Sequence, residues 1–254
     1  MGCLVSTPKD TGGNRRRPAN IGDVSVFVPG LRIPKSVDFS QSLGDHLAKS
    51  LVERLSALRT RIVVMAAQEA PTITRTRRKS ATQHENRRSS VDVFLKAAGY
   101  LDCAVRHVLP QLPNELRRNL PVDLAEGVLR ALCLQALGQG VDIQLGLAID
   151  STKATLAVKR RLACEMVKYW QQAQDNIMNV PLANGWGEKH RLFVKWKYIE
   201  AKAAAYYYHG LILDEGNTEK SHGMAVAALQ AADEYLKESK KACEAFHASI
   251  PVSR

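Results

Sequence analysis

Between Pro121 and Pro251 a single proline, Pro181, interrupts the chain. A stretch that long with one strong breaker favours helices longer than the usual globular ones, roughly 20–30 residues each. The breakers divide it. A helix over about 91–109 stops at Pro110, and a short connector holds Pro113 and Pro121. Further helices run over about 123–149 and 152–178, a turn follows at Pro181, Asn184 and Gly185, and the last two helices span about 188–213 and 218–248. Long helices joined by short turns bury one another's faces pairwise, as in a helical solenoid. Ala201 to Gly210 carries the small-plus-aromatic texture of tetratricopeptide packing, without a strict 34-residue period. The expected fold is all-α: an elongated tetratricopeptide-like solenoid over residues 38–254, preceded by an extended basic arm.

The charge is uneven. Residues 1–90 carry 16 Lys and Arg against 7 Asp and Glu, so +9 of the formal net charge of +11 lies there. Residues 1–37, with Pro8, Pro18, Pro29, Pro34 and Gly12-Gly13, read as a flexible arm in which Val24 to Val28 alternates like a short strand. Leu47, Leu51, Leu55, Leu58 and Ile62 then recur at helical steps, predicting an amphipathic helix that ends before Pro71. The basic, Ser/Thr-rich stretch over about 71–90 is expected to be a loop, with Ser89 or Ser90 capping the next helix. A block of like charge meets nucleic acid or an anionic membrane face. Only Phe27 and Phe39 are aromatic in this third, so stacking platforms for single strands are scarce, and anionic lipid is the favoured partner. A helical repeat protein whose basic arm contacts nucleic-acid phosphates is the alternative.

Other classes are excluded by motif. The longest apolar runs, such as Ile62 to Ala67, are too short for a membrane span, and no signal-peptide core stands near the start. The five cysteines form no CxxC pair, which excludes a disulfide scaffold or zinc ribbon and fits a reducing compartment. Gly216 to Ser221 lacks the glycine that a P-loop places before its lysine, no GxSxG or HExxH occurs, and Cys103 with His107 has no second pair to complete a metal site. No enzyme, metal or cofactor is expected.

Met1-Gly2-Cys3-Leu4-Val5-Ser6 matches the N-myristoylation pattern, with Gly2 as acceptor and Cys3 a neighbouring palmitoylation site. One acyl chain holds a protein marginally; a second chain or a polybasic patch stabilises the anchor. Cys3 supplies the one, and Lys9, Arg15, Arg16 and Arg17 supply the other. The alternative is a free N-terminus.

The helix over 152–178 has two apolar stripes. Leu156, Ala163, Met166, Val167, Trp170, Ala173 and Ile177 share one face. Val158, Leu162 and Tyr169 form a second, flanked by Lys159, Arg160 and Arg161. That second stripe either packs on a neighbouring repeat or forms a shallow groove for a partner's amphipathic helix.

Leu134 to Gly140, Lys159 to Ala173, Trp196 to Tyr208 and Lys220 to Ala232 together resemble the Bro domain of Alix and its relatives. In that family a "leucine–small–Gln–small" helix precedes a Tyr-rich helix and a closing "aromatic–Gly–x–x–Ile/Val–Ala–x–Leu–Gln–x–Ala" helix. His222 stands at the aromatic position. With its acylation-type start the chain is most similar to the compact plant members. The resemblance implies a boomerang-shaped, non-enzymatic adaptor that binds the C-terminal amphipathic helix of an ESCRT-III subunit. It also implies a peripheral, lipid-anchored location on the cytoplasmic side of endosomal or other membranes. The family's binding patch falls on Leu145, where Phe is frequent, and on Val158 and Leu162. Bro domains are longer than this chain, with further helices between the positions of Lys79 and Glu85 and after Ser249, so the resemblance implies a shortened form.

Overall fold

The computed structural model describes residue 27 and residues 38–40, 44–45, 47–67, 80–120, 124–178, 185–216 and 218–250. Among these residues the regular structure is helical, without a strand. Helix α1 spans Lys49–Ala67 and α2 spans Ser80–Cys103. A π-helical turn over Ala104–Val108 and a 3₁₀ turn over Leu109–Gln111 extend α2. A short α3 over Asn114–Asn119 leads to α4 (Glu126–Asp150), α5 (Leu156–Met178), α6 (Gly185–Glu215) and α7 (Glu219–Ala248).

The four long helices α4–α7 start and stop within a few residues of their predicted ends. Thr218 caps α7 reciprocally with Ser221, each hydroxyl accepting the other's backbone N–H. Two boundaries differ from expectation. Residues 80–90 are helical, not loop, and Ser89 and Ser90 lie inside α2 rather than at its start. Arg87, from this part of α2, reaches Asp150 at the far end of α4 with a 2.6 Å ion pair. Pro110 does not end the helical path at once. It occupies the first turn of the 3₁₀ segment, where its missing N–H has no intrahelical partner to lose.

Each long helix packs on its sequence neighbours, α2 on α4, α4 on α5, α5 on α6 and α6 on α7, the stacking order of a solenoid. Helix α4 is long and apolar enough by composition to cross a membrane, contrary to the expectation from apolar runs alone. Its apolar surface is taken up by packing: Val128, Leu129, Ala136, Ile143 and Leu145 are buried. Gly138 allows a close approach. A Cβ there would stand 2.9 Å from Cε2 of Trp170, so the indole occupies the space that a side chain at 138 would need.

The main core gathers the first stripe of α5 (Ala163, Met166, Trp170, Ala173) with Phe193 and Trp196 of α6 and Phe246 of α7. Phe27 inserts into it and lies 5.3–5.4 Å from the rings of Phe193 and Phe246. The remaining residues of the expected N-terminal strand lie outside the described residues, as do Gly2, Cys3, Lys9, Arg15, Arg16, Arg17 and residues 71–79.

Candidate functional site

The two faces predicted for α5 separate in the structure. Ala163, Met166, Trp170, Ala173 and Ile177 are buried, whereas Val158 is 47% exposed. Leu162 and Tyr169 are half-buried, and Leu162 also touches the main core. At about 100° per residue, Val158, Leu162, Tyr169, Gln172 and Asn176 fall within an arc of about 80°, so they form one line along the helix.

The distal part of that line enters a cleft of about 400 Å³ between α5, α4 and the end of α2. Val105, Leu134, Leu137 and Tyr169 give it an apolar lining, while Asp102, Arg106, Arg130 and Lys168 carry the charge. These charges are paired within single helices: Arg106 with Asp102 at 2.8 Å, Arg130 with Glu126 at 2.7 Å, and Lys168 with Glu165 at 3.7 Å. Such exposed pairs contribute little to stability and can exchange partners cheaply. Cys133 also lines the cleft, but its thiol donates to the Ala98 carbonyl at 3.4 Å and burial pushes its pKa up. A protonated thiol is a poor nucleophile. A cleft with an apolar strip among charges of both signs suits the edge of an amphipathic helix. Among the described residues no group of three or more His, Cys, Asp or Glu is placed to hold a metal ion.

The three expected patch residues do not share one surface. Val158 and Leu162 stand one turn apart on the helix line that reaches the cleft at Tyr169, and neither lines the cleft itself. Leu145 is only 4% exposed and belongs to the core. It lies seven residues after Gly138, two turns along the α4 face that Trp170 covers, so its side chain is turned towards α5 rather than to solvent. Of the basic residues expected to flank the line, Arg161 is exposed about 60° from Val158 and Lys159 is half-buried about 100° away, whereas Arg160 is exposed on the opposite side of the helix.

A buried polar chain beside the groove was not anticipated. Gln135 Nε2 donates to the Phe27 carbonyl, and Gln135 Oε1 lies 2.7 Å from His190 Nε2. Since Oε1 can only accept, the proton sits on Nε2 of His190. Burial lowers the His190 pKa to about 3, so the ring stays neutral and the donor role is fixed. The chain ties the N-terminal arm to α4 and α6. The nearest sequence signal is the pair Gln135 and Gln139, one turn apart on an otherwise apolar stretch of α4, where a buried glutamine requires a partner. Two lysines are buried as well. Lys189 donates to the carbonyls of Phe246 and Ser249 at 3.0 and 2.9 Å, satisfying the end of α7. Lys197 is paired with Asp142 at 2.9 Å and with Glu200. Burial pulls its pKa down, but the two carboxylates more than offset this, and the ammonium is held charged.

Helices stacked on their sequence neighbours beside an apolar groove define a helical-solenoid class of domain. Within that class, residues 62–250 match the family model of the BRO1-like domain, and the chain belongs to that family. The BRO1 domain is known from ESCRT-related adaptors and is a protein-interaction domain rather than an enzyme. Its members generally bind ESCRT-III proteins. Neither a curated protein nor a solved structure matches the chain.

Proposed function

We propose that this protein is a membrane-associated adaptor whose α5 groove takes the C-terminal amphipathic helix of an ESCRT-III subunit. The observation that carries the reading is the exposed Val158 on the same helix line as Leu162 and Tyr169, running into the cleft floored by Leu134 and Leu137. An incoming helix would place its i, i+3, i+4 and i+7 apolar residues along that line. Acidic residues on its flanks would meet Arg161 on one side and Lys159 on the other. The basic rim sets orientation and encounter rate more than final affinity.

The membrane part of the reading rests on the acylation pattern at Gly2 and Cys3 and on the arm's Lys9, Arg15, Arg16 and Arg17. Such an anchor places the adaptor on the cytoplasmic side of endosomal or other membranes. Gly2→Ala removes the myristoyl acceptor and, with it, the membrane encounter that palmitoylation of Cys3 requires. The variant is expected to move from the membrane pellet to the soluble fraction on cell fractionation. An unchanged membrane fraction would remove acylation from the account.

A further inference from the structure

The amphipathic stripe of α1 points outward. Leu51 and Leu58 are 44% and 48% exposed, and Leu55 between them is half-buried. At about 100° per residue these three occupy an arc of about 60°. The helix meets the rest of the chain on another side. Val52 is 2% exposed, and the Ser56 hydroxyl accepts the Phe39 backbone N–H at 3.2 Å. Val52 lies about 90° and Ser56 about 130° from the middle of the leucine line. The leucine stripe of the expected amphipathic helix is therefore a surface.

Its margins are basic. Arg54 and Arg61, seven residues apart, run along one edge of the leucine line and are exposed, and Arg59 borders the other edge. The helix carries Lys49, Arg54, Arg59 and Arg61 against the single acidic residue Glu53. A leucine ridge bordered by arginines, whose stems can lie on apolar surface while their heads reach upward, has the design of a helix lying in a lipid interface. The surrounding charge agrees, since residues 1–90 hold +9 of the +11 total.

We infer that α1 is a second, non-covalent membrane contact, inserting Leu51, Leu55 and Leu58 between the headgroups of an anionic lipid surface while Arg54 and Arg61 bind lipid phosphates. The inference rests on the membrane-associated reading above but does not depend on acylation. Two weak contacts on one chain act together: once the arm is anchored, α1 meets lipid at high effective concentration.

The test uses the full chain made without an acyltransferase, with vesicles of phosphatidylserine and phosphatidylcholine or of phosphatidylcholine alone. The parent should sediment with the anionic vesicles, less so at high salt, and scarcely with the neutral ones. Leu51→Gln with Leu58→Gln should lower the partition coefficient roughly tenfold or more, because the apolar contact is lost while helix propensity is kept. Should that pair lose helicity, Arg54→Gln with Arg61→Gln provides the second arm and should weaken low-salt binding while leaving the high-salt residue unchanged. Vesicle binding equal to the parent's in both pairs would overturn the inference, whatever Gly2→Ala does in cells. So would a parent that sediments as a dimer and becomes monomeric in the leucine pair with vesicle binding intact, since the ridge would then be covered by a second copy.

Discussion

Trp170→Ala is expected to cost about 3–5 kcal/mol of folding stability, the largest loss from any single truncation considered. Trp170 is fully buried, lies against the backbone at Gly138 and meets Phe193 edge-on at 5.8 Å. Removing the indole leaves a void between α4, α5 and α6 that their backbones cannot close, because the Phe193, Trp196 and Phe246 rings already hold one another in place. Urea unfolding followed by circular dichroism measures the loss. A change below about 1 kcal/mol would mean that the α4–α5 contact is not the centre of the core.

Val158→Asp is expected to do the reverse: little to the fold and much to binding. The side chain is nearly half exposed, so stability should change by about 0.5 kcal/mol or less. In the complex the carboxylate would have to be stripped of water beneath the apolar face of the partner helix, costing roughly 2–4 kcal/mol of affinity, or about 30- to 1000-fold in Kd. Leu162→Asp makes a useful contrast. Leu162 packs against the core as well as lying on the Val158 line, so a carboxylate there should weaken binding and also lower the melting temperature. Thermal melts beside peptide titrations distinguish the two. A Val158→Asp protein that melts like Trp170→Ala would place this stripe in the core.

The long helices were legible because backbone punctuation is local chemistry. Pro181 falls between the end of α5 and the start of α6, and Thr218 marks the start of α7. The two faces of α5 were legible for the same reason, since helical periodicity is written in the sequence. Residues 80–90 were misread because their charge resembles a loop's. No Pro or Gly stands between Pro71 and Gly99, and Ala, Gln, Glu and Arg form helices well. The ion pair of Arg87 with Asp150, 63 residues away, supplies a tertiary anchor that periodicity cannot reveal. Leu145 was misplaced for a related reason. A family position gives its place along α4, but which way it turns depends on how closely Trp170 approaches Gly138. The Phe27–Gln135–His190 chain was invisible because it joins residues 108 and 55 positions apart. Similarly, the leucines of α1 have the right spacing for a core face, and only the packing of Val52 and Ser56 shows that the ridge is turned outward.

The groove is tested most directly by asking where a partner helix sits. Gln172 lines the cleft on α5, whereas Gln230 is exposed on α7. Each is replaced in turn by photoreactive p-benzoylphenylalanine, and the folded protein is irradiated with a synthetic ESCRT-III C-terminal helix. The expected result is a crosslink from position 172 that fades when Val158→Asp is added, and none from position 230. Crosslinking from position 230 alone, or from position 172 undiminished by Val158→Asp, would contradict the groove.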